Sequence, residues 1–183
     1  YHQMKTDMCD KAEMQLFHIF GYEWIHKKDI VESMLQNLFH SNVRTVYARE
    51  TEVRLLSAST CREFLSRNHR QGSADSPIRL GLFVKDSEEL ISVMTFGKMR
   101  NSIGTGKEDL SNCYELVRFC NLLNTSVVGG ASKLFKHFVS QYQPAQIRSF
   151  SDRAHTSGKL YSLLGFNEVR RSEPGYVWVD MKT

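Results

Sequence analysis

The chain has 183 residues, 41% hydrophobic, 11% aromatic and 24% charged, with a net charge of +4. This is enough apolar material for one core of ordinary size, and it excludes a disordered chain or a low-complexity fibre. No apolar run is long enough to span a bilayer or to read as a secretory signal, and the four cysteines (Cys9, Cys61, Cys113, Cys120) form no CxxC pair; both facts point to a soluble, cytoplasmic protein with reduced thiols, no membrane contact and no structural zinc.

In chain order, QLFHIF (15–20) reads as a mostly apolar strand. The spacing of Ile30, Val31, Met34, Leu35 and Leu38 predicts a helix from His26 to Phe39. SNVRT (41–45) reads as a linker, so the first 45 residues form a small appendage that cannot bury its own apolar face. The opening residue Tyr1 points to a fragment of a longer chain.

VRLL (53–56) is a short strand, and SAST supplies N-cap candidates for a helix over about residues 60–67. A polar loop (69–77) precedes IRLGLFVK and LISVMTFG, two alternating segments joined by a DSEE turn and read as an antiparallel hairpin. A loop rich in Gly, Ser and Asn (98–112) leads to the strand YELVRFC. VVGGASKLFKHFVSQY follows, with glycines opening an amphipathic helix. QIRSFSD is a strand, GKLYSLLGF a helix, and NEVRRS with YVWVDM a closing strand pair. The order predicts an α/β fold around a mixed sheet.

That order is similar to the GNAT acyltransferases. KLYSLLGFNEV resembles the late helix and strand of the family, and VVGGASKLF occupies the place of its coenzyme A pyrophosphate turn. The resemblance implies a GNAT-like fold over residues 46–183. It implies acetyl-coenzyme A or another acyl donor held at Gly129, Gly130 and Ser132, where a glycine turn entering a helix presents N–H groups to an anion. Here Val127 and Val128 stand where the family carries Arg or Gln before its glycines.

Within that fold, NHRQG, MTFGKMR, ELVRF, GGASKLFKHF and SDRAHTSGKLY follow in register the Mom-like branch, phage proteins that modify adenine in DNA. This resemblance implies His69, Arg118, Ser132, Asp152 and Tyr161 as the residues of activity, DNA as partner and a small-molecule donor. KTDMCDKAEMQLFHIFGYEW resembles the closing helix, strand and Glu-Trp of very-short-patch-repair-like nucleases. Residues 1–45 are thereby read as the C-terminal remnant of a nuclease domain whose metal-binding part lies upstream, as in phage endonuclease-like proteins.

The residue chemistry leaves alternatives open. Asp152, leaving a strand end, is suited to accept a proton from an amine or to cap the helix that follows. Tyr161 is suited to protonate a leaving group or to fill the core. His69 and His155 fit proton transfer, metal ligation or a plain surface, and no ligand spacing demands a metal. Glu115 and Arg118, three apart on a strand, are expected on opposite faces, with Arg118 inward and Asp152 its acidic partner. Phe96, Tyr114 and Phe150 are candidates for an aromatic wall against a flipped base, and Lys98, Arg100 and Arg153 for a basic rim. Arg62, Arg67, His69 and Arg70 with Arg148, Arg170 and Arg171 extend that rim into a possible phosphate patch.

Three functions follow: a Mom-like base-modifying transferase, a generic acetyl-coenzyme A-dependent N-acyltransferase, and a non-catalytic DNA-binding or positioning domain of a phage homing endonuclease. The spaced motif blocks favour the first.

Overall fold

The computed structural model describes residues 1–41, 44–99, 112–172 and 175. They fall into two compact units, one joining Tyr1–Lys28 to the chain from Ser151 onward and the other running from Asp29 to Phe150.

The second unit holds a mixed five-stranded sheet in the order β2 (Thr51–Leu55), β3 (Ile78–Val84), β4 (Leu90–Lys98), β5 (Cys113–Asn121), β7 (Gln146–Arg148). The first four strands are antiparallel neighbours and β7 runs parallel to β5. The hairpin expected from the alternating segments is β3–β4, turned through a left-handed Asp86. A second, two-stranded sheet pairs β1 (Arg44–Tyr47) with β6 (Thr125–Val128) in parallel, in segments read from the sequence as a linker and as the approach to a helix.

Helices cover both faces of the large sheet. Helix α4 (Ala58–Asn68) begins at Ser57, whose Oγ accepts the Thr60 N–H at 3.0 Å and so satisfies one of the donors every helix start leaves open. Its Cys61, Phe64 and Leu65 pack with Leu56 and Val93 into one buried cluster. On the opposite face, α5 (Gly130–Tyr142) lays Phe138 flat against Phe96, ring centroids 3.6 Å apart, with Tyr114 edge-on to Phe138 at 5.2 Å. Val93 and Phe96 lie three apart on β4, an odd offset that sends one to each helix layer. Helix α3 (Lys28–Leu38) joins this unit through Ser33, whose Oγ accepts the Asn124 N–H at 2.8 Å.

The first unit contains α1 (His2–Lys11), α2 (Gly21–His26) and α6 (Lys159–Leu163). Three sequence expectations change here. The helix expected over 26–39 is α3, which starts only at Lys28 because Lys27 leaves helical geometry at φ −139° and ψ 35°, closing α2 before it. QLFHIF is irregular rather than a strand; its His18 N–H meets the Ala154 carbonyl at 2.9 Å, with no ladder beside it. NEVRRS is likewise irregular, and YVWVDM lies outside the described residues. Among the described residues no helix is long and apolar enough to cross a membrane.

Candidate functional site

The second unit positions His69 and Arg118 around one turn. Along β4 and β5, Thr95 faces Arg118 while the next residue, Phe96, faces Leu116. Val117 is therefore the extra residue of a β-bulge. A bulge moves the alternation on by one, so Arg118 opposite Thr95 and Glu115 opposite Gly97 share a face. The opposite-face expectation is overturned, because counting by threes assumes an unbroken strand.

Arg118 reaches the carbonyl of Gly72 through Nε at 3.3 Å and that of Val117 at 2.9 Å. Gly72, left-handed at φ +67°, closes the turn that follows α4 by donating its N–H to the His69 carbonyl at 2.8 Å. His69 Nδ1 accepts the Gln71 N–H at 3.1 Å, so in the neutral ring the proton sits on Nε2. His69 and Arg118 are thus brought to the same turn.

The remaining candidates of this unit stand at the start of α5, the helix that leads the chain into β7 and so into the parallel β5–β7 pair. That pair ends at Glu115↔Arg148, with one further tie from Ser149 Oγ to the Leu116 carbonyl at 2.9 Å, while β5 continues to Asn121. The strands part just where the bulge lies. Gly129 enters α5 at φ +77°, a conformation that costs any residue with a Cβ. At Gly130 a Cβ would stand 2.6 Å from Val127 Cγ1 and 3.1 Å from Leu82 Cδ1. The turn requires glycine at 129 and packing requires it at 130, whether or not a ligand binds there. Ser132, half-buried, stands on the first helical turn. Lys133 points inward instead, donating to the carbonyls of Ala48, at 2.8 Å, and Thr51.

Asp152 and Tyr161 belong to the first unit. Asp152 heads a turn: its Oδ1 accepts the Ala154 N–H at 3.0 Å and its carbonyl accepts the N–H groups of His155 and Thr156. Its other oxygen, Oδ2, stands 3.4 Å from His155 Nδ1. On the far side of the ring, Nε2 lies 3.2 Å from Glu23 Oε2, which also accepts the Phe20 N–H at 3.3 Å. Glu23 is 2% exposed and the His155 side chain 7%, whereas the Asp152 side chain is 40% exposed. The three form a line from interior to solvent. His18, bonded to Thr6 Oγ1 at 2.8 Å, lies close by, and burial together with His2, His155 and Lys5 holds its pKa below the ordinary value. Tyr161 on α6 is half-buried and edge-on to Phe166 at 5.7 Å.

Sequence reasoning missed Glu23. It precedes its partner His155 by 132 positions, and nothing in the spacing of either links them.

The aromatic wall and basic rim fare less well. Phe96 and Tyr114 are buried in the core against Phe138, leaving Phe150, 59% exposed, as the accessible ring of the three. Arg153 is engaged by Asp7 at 2.9 Å and Asp10 at 2.6 Å, and Arg171 by Glu168 at 2.6 Å, so their charge is largely neutralised locally. Lys98 lies over the Tyr114 ring, and Arg100 is outside the described residues. Among the described residues no group of three or more His, Cys, Asp or Glu is placed to hold a metal ion. No protein-family model matches the chain, and no curated protein matches it significantly.

Proposed function

We infer that the chain is a GNAT-fold transferase of Mom-like type that modifies the exocyclic amine of adenine in DNA. The observation that supports this most is the opening of β5 from β7 beyond Glu115↔Arg148, with the Val117 bulge at the opening and a glycine-entered helix leading the chain into β7. A parallel pair that parts toward the carboxyl direction of its strands makes a crevice of the kind in which α/β sheets hold ligands.

In this reading Asp152, the exposed carboxylate, takes the proton of the attacking amine, and Tyr161 supplies one to the departing group. In the second unit Arg118, anchored at Gly72 and Val117, offers a cation of fixed position, and the resemblance gives His69 and Ser132 hydrogen bonds to the base or donor. The donor is acetyl-coenzyme A or another small acyl compound. The base must leave the helical stack to be reached, which costs a few kcal/mol.

Nucleoside mass spectrometry of plasmid DNA from cells expressing the chain, beside Asp152→Ala, tests the reading. A new adenosine mass with the native chain alone supports it. Unmodified DNA from both counts against a transferase and turns the reading to a DNA-positioning domain.

A further inference from the structure

The N-terminal segment carries a residue that the transferase reading does not use. Glu23, on α2, is almost wholly buried, and its Oε2 lies within hydrogen-bond reach of two groups, the Phe20 N–H and His155 Nε2. An ionised Glu23 can only accept, and in the ring tautomer that donates to it the proton sits on Nε2 and Nδ1 holds a lone pair. That Nδ1 is buried, makes no hydrogen bond, and has Asp152 Oδ2 3.4 Å away. In that tautomer the Nδ1 lone pair faces Asp152, the more exposed of the two carboxylates.

We propose that Glu23 and His155 stand behind Asp152 as a proton-holding pair, His155 Nδ1 receiving the proton that Asp152 removes from the acceptor amine. This rests on the reading of Asp152 as the general base. The step balances: the amine N–H bond breaks as an O–H bond forms on Asp152, then that O–H bond breaks as Nδ1–H forms. The product is an imidazolium between two carboxylates, with Asp152 ionised again. Glu23 is a positioning residue, fixing the tautomer as the buried acid of a Ser-His-Asp triad does. His18 stacks on Phe20, whose ring is tilted against His155, and burial with His2, His155 and Lys5 holds its pKa down.

Nitrogen-15 NMR of the full chain reads the tautomer directly, and nucleoside mass spectrometry of plasmid DNA reads the reaction. The expected results are a neutral His155 protonated on Nε2, and adenine modification reduced on the order of 10²-fold in Glu23→Gln and in His155→Gln with the thermal midpoint kept. A His155 ring protonated on Nδ1 overturns the proposal, and this measurement needs only the native chain, so it stands even where a variant fails to fold. Modification by the native chain, loss in Asp152→Ala and full activity in Glu23→Gln also overturns it, while leaving base modification intact. Unmodified DNA from the native chain overturns both readings together.

Discussion

At the scale of single residues, the glycines of the α5 entry give the clearest expectation. A methyl at Gly130 meets Val127, a stiff β-branched side chain, at 2.6 Å, and Leu82 behind it. Gly130→Ala is expected to cost about 1–3 kcal/mol of stability by overpacking, read from urea unfolding, whether or not a ligand binds there. Activity lost by this variant in proportion to stability would match the packing role; activity lost at unchanged stability would restore an anion-binding role.

Arg44 and Glu89 supply the pH dependence. The guanidinium bonds both carboxylate oxygens, at 2.5 and 2.8 Å, and holds the Glu89 pKa below its ordinary 4.5, first by hydrogen bonding and then by charge. A carboxylate depressed in the folded state adds stability above its unfolded pKa and loses it as pH falls through the lower folded value. Both side chains are about two-fifths exposed, so screening leaves roughly 0.5 kcal/mol. Glu89→Gln should remove that contribution above pH 4.5 and flatten the acid limb of a stability–pH curve. A limb unchanged by the substitution would mean that the pair contributes nothing.

At the scale of elements, legibility followed periodicity. The β3–β4 hairpin shows in the sequence because alternating apolar residues and a polar turn each encode it locally. The Val117 bulge does not, since ELVRF contains no glycine and one inserted residue leaves no mark in composition; with it went the true face of Glu115. The β1–β6 pair was hidden for another reason. Each strand has four residues, and their partnership joins positions 81 apart, Arg44 with Thr125 through Tyr47 with Val128. Phe96 and Tyr114 were open to either reading from sequence, and the stacking of α5 decided for the core. The anchor of that helix is Phe138, fully buried on Phe96. Phe138→Ala should destabilise by about 3–5 kcal/mol in calorimetry, and a loss under 1 kcal/mol would show that the helix is held elsewhere.

At the scale of the whole molecule, the two units differ in what holds them. Every buried apolar side chain among the described residues lies between Ile30 and Phe138, inside the second unit. The buried residues described in the first unit are Thr6, Glu23 and His155, all polar. Hydrophobic burial scales with area and is not screened by salt, whereas exposed ion pairs such as Arg153 with Asp7 and Asp10 weaken as the screening length falls to ~3 Å at 1 M salt. Amide exchange should therefore be slow in β3 and β4 at any ionic strength and should quicken in residues 1–28 and 151–172 as salt is added. Equal protection in both units, insensitive to salt, would contradict this division. The same contrast explains why the first unit was the poorer prediction: its organisation lies in pairings such as Glu23 with His155, which no local period encodes.

The pairing of His18 with Ala154 and of Glu23 with His155 has a consequence for biosynthesis. A ribosome releases the first twenty-eight residues long before it reaches Ser151, so they emerge without the partners they will later bind. By then the intervening sheet is complete. A nascent chain arrested once residue 150 has cleared the ribosome should already hold that sheet while its leading segment remains open to chaperones and proteases.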